Sequence, residues 1–160
     1  MTAKSEFTED EWSRILRAPF VAGMAITLSD PGGAIEVTKE TMATLKAASN
    51  PPGDEELLAE AARDVQAMTQ RRESPLRGYR PTAEGGSAAD QVLAELTAVH
   101  SMVAGKATPG EAAAFGAWLV ASAQAAADAA KEGGFFGIGA QQVSDREQAM
   151  IERVRAAVSG

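Results

Sequence analysis

The residues able to do chemistry in this chain are few and scattered. His100 is the one histidine, and there is no cysteine. Thiolate nucleophiles, disulfides and thiolate zinc sites are therefore excluded. A di-iron site of the ferritin kind needs two Glu-x-x-His pairs on facing helices, which a single histidine does not supply. His100 and Ser101 are neighbours, so on a helix they point about 100° apart and do not form a dyad with each other. No G-x-S-x-G elbow is present. His100 sits at the edge of an apolar stripe (Val92, Leu96, Val99, Val103) and reads as structural. Glu55, Glu56, Glu60 and Asp64 recur at helical spacing, with Arg63 between them, and read as a solvated helix face. No loop carries the alternating oxygen ligands of an EF-hand. Metal and cofactor are both expected to be none.

Three further groups stand out. In "GGFFGIGA" the glycines Gly134, Gly137 and Gly139 surround Phe135, Phe136 and Ile138. A phosphate-binding glycine loop follows a strand and opens a helix, and its P-loop form ends in lysine. Here no strand precedes the glycines, Lys131 lies upstream, and the intervening side chains are apolar. The stretch reads instead as a plug for the end of a helical assembly, as an exposed tip that enters a partner or a twin subunit, or as a membrane-dipping tip. The second group is the basic cluster Arg71, Arg72, Arg77 and Arg80 with Tyr79. It suits an acidic or phosphorylated partner, or else a solvated linker whose arginines pair with Glu73 and Glu84. Trp12, Phe20, Met24, Phe115 and Trp118 form the third group. They are expected in the core, or lining an apolar pocket between helices.

The elements that must position these groups are helical. Thr8…Glu11, Ser87…Asp90, Thr108…Glu111 and Ser144…Glu147 are capping-box patterns, in which a side-chain oxygen takes a first-turn N–H and the acid reaches back. Asp30-Pro31 and Pro52-Gly53-Asp54 mark two more starts, giving six helices. Apolar residues follow at i, i+3, i+4 and i+7. Helix one carries Trp12, Ile15, Leu16, Phe20, Met24 and Leu28. Pro19 is expected to kink or split it near Ala18, and Gly23 to admit close helix packing. Helix two carries Ile35, Thr38, Met42 and Leu45; helix three Leu57, Leu58, Ala61, Val65 and Met68. Helix four adds Leu93 to the stripe already named. Helix five carries Phe115, Trp118, Leu119 and Ser122, and helix six Met150, Ile151, Val154 and Val158. No strand pattern appears.

The chain has 160 residues, with a formal charge of −7 and a pI near 4.8. The length suits one domain. The acidity disfavours nucleic acid as a partner. No apolar window is long enough for a membrane span, and the start "MTAKSEFTEDEW" lacks the apolar region of a secretory signal. The expected fold is all-α: one domain over 1–160, a compact bundle of about six helices or two packed three-helix halves, 8–72 and 87–160, joined by a Pro/Gly/Arg-rich linker over 71–87. The helix–Gly turn–"VSDRE"–helix unit resembles small all-helical tellurite-resistance-like domains, which carry an acidic Asp-Gly turn between two such helices. Here the turn is apolar and its nearby acids are Asp128, Glu132 and Asp145, so no site is carried over.

The resulting expectation is a non-catalytic, cytoplasmic, bacterial helical protein that binds another protein or itself, including as a homodimer. Its candidate surfaces are Phe135, Phe136 and Ile138, and Arg71, Arg72, Arg77, Tyr79 and Arg80. The alternative is a small-molecule or lipid-binding protein, or an enzyme, with the apolar inter-helix pocket of Trp12, Phe20, Met24, Phe115 and Trp118.

Overall fold

A computed structural model describes residues 2–30, 34–81, 86–132 and 144–159. Among the described residues there are six α-helices and no strand. They are α1 (Glu9–Ser29), α2 (Ala34–Ser49), α3 (Glu56–Gln70), α4 (Ala88–Lys106), α5 (Pro109–Glu132) and α6 (Asp145–Ala157), after a short 3-10 turn at Lys4–Glu6.

The helix starts are local chemistry. Thr8 and Ser144 each accept from the backbone N–H three residues on, and Glu11 and Glu147 reach back to the cap. Thr108 and Glu111 do the same at α5, with N–H to oxygen distances of 3.2 and 2.9 Å. Ser87 accepts from Asp90, but the Asp90 carboxylate turns to Arg153, 2.9 Å away. Glu111 is held further by the Thr2 hydroxyl and by the Thr2 N–H at 2.7 Å. Burial pushes its carboxyl up, but the Thr2 and Thr108 donors outweigh that and bring it down to about 2.

Two helices form the centre. Residues 18–23 of α1 are all buried, as expected for a stretch apolar all round. α1 packs on each of the other five helices, and so does α5. The helices of the first half of the chain thus interleave with those of the second. Pro19 does not split α1, which runs unbroken through it. The proline forgoes one backbone hydrogen bond, and packing on every side holds the helix in register.

The face of α2 differs from the expected stripe. Met42 is 67% exposed and Val37 is exposed too, whereas Glu40, Thr44 and Ala48 are buried. The physical reason is the contact with α1. A Cβ built on Gly23 would lie 2.5 Å from Thr44 Oγ1 and 3.2 Å from Thr44 Cβ. Only glycine leaves room for the Thr44 side chain here, and this seating of Thr44 against α1 favours the observed rotation of α2. Ile35 lies outside the described side chains. Asp64 and Glu60 also differ from a solvated face. They receive Lys4 Nζ at 2.6 Å and the Lys4 N–H at 3.1 Å, pinning the N-terminal turn.

G23A should cost about 1–3 kcal/mol by overpacking. T44A should cost less in the G23A background than alone, read by chemical denaturation as a double-mutant cycle. Glu111 has a depressed folded pKa, so the stability it contributes is present above pH 4.5 and is lost as pH falls toward about 2. The acid limb of a pH–stability curve should flatten in E111Q.

Candidate functional site

Between α1 and α2, around the Gly23–Thr44 contact, lies a cavity of about 210 Å3. α1 lines it with Phe20, Gly23, Met24 and Thr27; α2 lines it with Val37, Glu40, Thr41 and Thr44. Both sets have i, i+3, i+4, i+7 spacing, so each is one helix face. Leu76, from the segment after α3, supplies a lip. Val37 and Thr41 are exposed at the mouth, while Phe20, Glu40 and Thr44 are buried.

Each hydroxyl of the cavity is already committed as a donor. The Thr27 hydroxyl donates to Glu40 Oε2. Thr41 Oγ1 donates to the Val37 carbonyl at 2.8 Å, and Thr44 Oγ1 to the Glu40 carbonyl at 2.7 Å. A hydroxyl has one hydrogen and two lone pairs. What these groups keep for a ligand is acceptor capacity.

Glu40 is 3% exposed. Burial raises its pKa, the Thr27 hydroxyl pulls it down, and Glu147, Glu36 and Asp30 push it up. Glu147, in the first turn of α6, is also buried and raised. Burial is again the main cause, offset by the Ser144 hydroxyl and N–H and reinforced by Asp30 and Glu36. Its Oε2 is buried with no hydrogen-bond partner. Four acids from α2, α6 and the end of α1 therefore share one end of the bundle. No ion pair among the described residues includes Glu40 or Glu147. No group of three or more His, Cys, Asp or Glu side chains among them is arranged to hold a metal ion.

The five residues expected round one apolar pocket are distributed. Phe20 and Met24 line the cavity. Trp12 packs on Phe7, with ring centroids 5.9 Å apart, and donates through Nε1 to Asp64 at 2.8 Å. Phe115 and Trp118 are fully buried, with centroids 6.1 Å apart. Trp118 Nε1 reaches the Ala47 carbonyl at 3.2 Å, tying α5 to α2. His100 is buried, stacks on Phe115, and has Nε2 3.2 Å from the Ala112 carbonyl, the geometry of an Nε2–H donor.

Arg71, Arg72, Arg77 and Arg80 are exposed. Arg71 pairs with Glu73 at 3.1 Å, and Arg72 adopts φ 58°. Tyr79 is half-buried, with the Arg17 guanidinium 5.4 Å from its ring centre. Leu76 and Tyr79 thus anchor this segment while its arginines point to solvent. Phe135, Phe136 and Ile138 lie outside the described residues. Sequence reasoning missed Thr27, Glu40, Thr41 and Thr44. The signal available was Gly23 in an apolar helix, which demands a close neighbour, together with the small Thr44 on a helix carrying an acid one turn earlier.

A larger, open groove of about 830 Å3 lies among α4, α5 and the end of α6, lined by His100, Ala104, Ala112, Gly116 and Val158 among others. No described helix is long and apolar enough to cross a membrane. No protein-family model, curated protein or solved structure matches the chain.

The acid corner has a checkable pH dependence. Glu40 has a raised folded pKa, so its contribution to stability is complete below about pH 4.5 and is lost as pH rises through the folded value. E40Q retains an acceptor for Thr27 and removes the charge. It should melt above the parent at pH 7 and level with it at pH 4, read by thermal denaturation at both values.

Proposed function

We propose that this is a non-catalytic helical binding protein that takes a small molecule in the cavity between α1 and α2. One observation carries the reading: a nearly fully buried carboxyl on the wall of an otherwise apolar and hydroxyl-lined cavity that opens to solvent. An apolar hollow with a few convergent polar groups and a perturbed acid is the usual form of a ligand site. Burial of Glu40 costs stability, and a bound partner for it would offset that cost. Of the apolar-pocket alternative, this reading uses Phe20 and Met24.

Protein or self-interaction is a separate proposal with less in its support. Among the described residues, the exposed large hydrophobic side chains are Val37 and Met42. That is little beside the roughly 800 Å2 per partner of a stable interface. Its other candidates are the exposed arginines and the Phe135–Ile138 stretch. An assembly seen by light scattering and dissolved by the paired substitutions F135S and F136S would favour it.

Melting-temperature screening of the purified chain against small amines, alcohols and acids tests the cavity reading. T41W places an indole at the exposed mouth and should change stability by no more than about 0.5 kcal/mol. Ligands that raise the parent's melting temperature should lose that effect in T41W. Stabilisation surviving equally in T41W would place binding elsewhere and defeat the reading.

A further inference from the structure

Resting on the cavity reading above, we infer that the ligand of this site is an organic cation, a small primary ammonium whose apolar body lies against Phe20, Met24 and Leu76 and whose charged head meets Glu40. Two independent features of the site lead there.

The first is hydrogen-bond chemistry. Thr27, Thr41 and Thr44 have each spent their only hydrogen, on Glu40 Oε2, on the Val37 carbonyl and on the Glu40 carbonyl. An ionised Glu40 has no hydrogen to give. The polar side chains of the cavity thus present lone pairs to an occupant. A carboxylate or phosphate, which also brings lone pairs, is opposed. An ammonium brings three donors and no acceptor.

The second is charge. The charged groups acting most strongly on Glu40 are Glu147 from α6, Glu36 from α2 and Asp30 at the end of α1, all acids. The 71–81 segment contributes Leu76, and its arginines are exposed. Glu147 Oε2 is buried and unpartnered at this same end of the bundle. A cation entering the cavity meets a nearly fully buried carboxyl whose strongest charged influences are other acids.

Size bounds the ligand. At roughly 30 Å3 per water, the 210 Å3 cavity holds on the order of seven water-sized groups. A branched four-carbon amine fits.

The probes are isobutylammonium, isobutanol and isobutyrate, one shape with three charge states, titrated into the full chain and followed by amide chemical shifts. Isobutylammonium should bind at least about tenfold more tightly than isobutanol, the advantage of a hydrogen bond to a charged group. Isobutyrate should bind least. E40Q should retain isobutanol binding and lose the ammonium preference. In the parent, that preference should grow as pH rises and the acids at the cavity ionise, a readout that needs no variant. If isobutanol binds as well as the amine at pH 7, the cavity reading stands and the charge inference falls. Ammonium preference persisting in E40Q, or constant with pH, overturns it as well. If no probe shifts resonances around Phe20 and Thr41, both readings fall. Calcium or magnesium binding that depends on Glu147 but is indifferent to T41W would assign the acid corner to an inorganic cation instead, and would also overturn the inference.

Discussion

The contact on which the site depends is the meeting of Gly23 with Thr44. The missing side chain on α1 lets α2 come close, and Thr44 fills the space that a Cβ would need. Thr44 is stiff at χ1, and its hydroxyl is tied to the Glu40 carbonyl one turn back. With that point fixed, the rotation of α2 is fixed. Glu40 then lies one turn before a buried residue and is buried as well, and Met42 is carried outward. The cavity lies around that contact, between the Phe20–Thr27 face of α1 and the Val37–Thr44 face of α2.

That geometry places acids where both attraction and repulsion act on them. Glu36 and Glu147 occupy first turns of α2 and α6, where the positive end of a helix favours a carboxylate. Glu147 closes the capping box of α6 through one oxygen, while the other is buried without a partner. The start of α6 is thus held in place by a group that is also poorly solvated. Glu111 is the contrast within the same fold. It too is buried, but the Thr2 and Thr108 donors saturate it, and its pKa falls rather than rises. Two buried glutamates with opposite shifts separate a structural anchor from a group left with unmet capacity.

The helix ends were legible because they are written within four residues. Thr8–Glu11, Thr108–Glu111 and Ser144–Glu147 close as their spacing indicates, and Ser87 caps α4 even though Asp90 turns away to Arg153. The buried faces of α3, α4 and α6 were legible for a similar reason, since each has one clear apolar stripe. α2 was not. Its apolar set, Ile35, Met42 and Leu45, competes with Glu40, Thr44 and Ala48, and the choice between them is made by Gly23 on another helix. Periodicity within a helix carries no record of how close its neighbour comes. Trp12, Phe115 and Trp118 make the complementary point. Their apolar character places them inside, but whether an interior is filled or hollow depends on shapes contributed by several helices.

The same reasoning explains why a site can sit here without loosening the fold. The large fully buried side chains, Phe115, Trp118, Ile15, Leu57 and Leu96, lie away from the cavity wall. They belong to the apolar core whose burial stabilises a chain of this size. The cavity takes from that core only the edges of Phe20 and Met24, and it is bounded by threonines whose hydroxyls are already satisfied within the protein. Emptying or filling it changes the environment of Glu40 far more than it changes packing at the centre. Burying a carboxyl at that wall costs free energy that the packing of the core does not require.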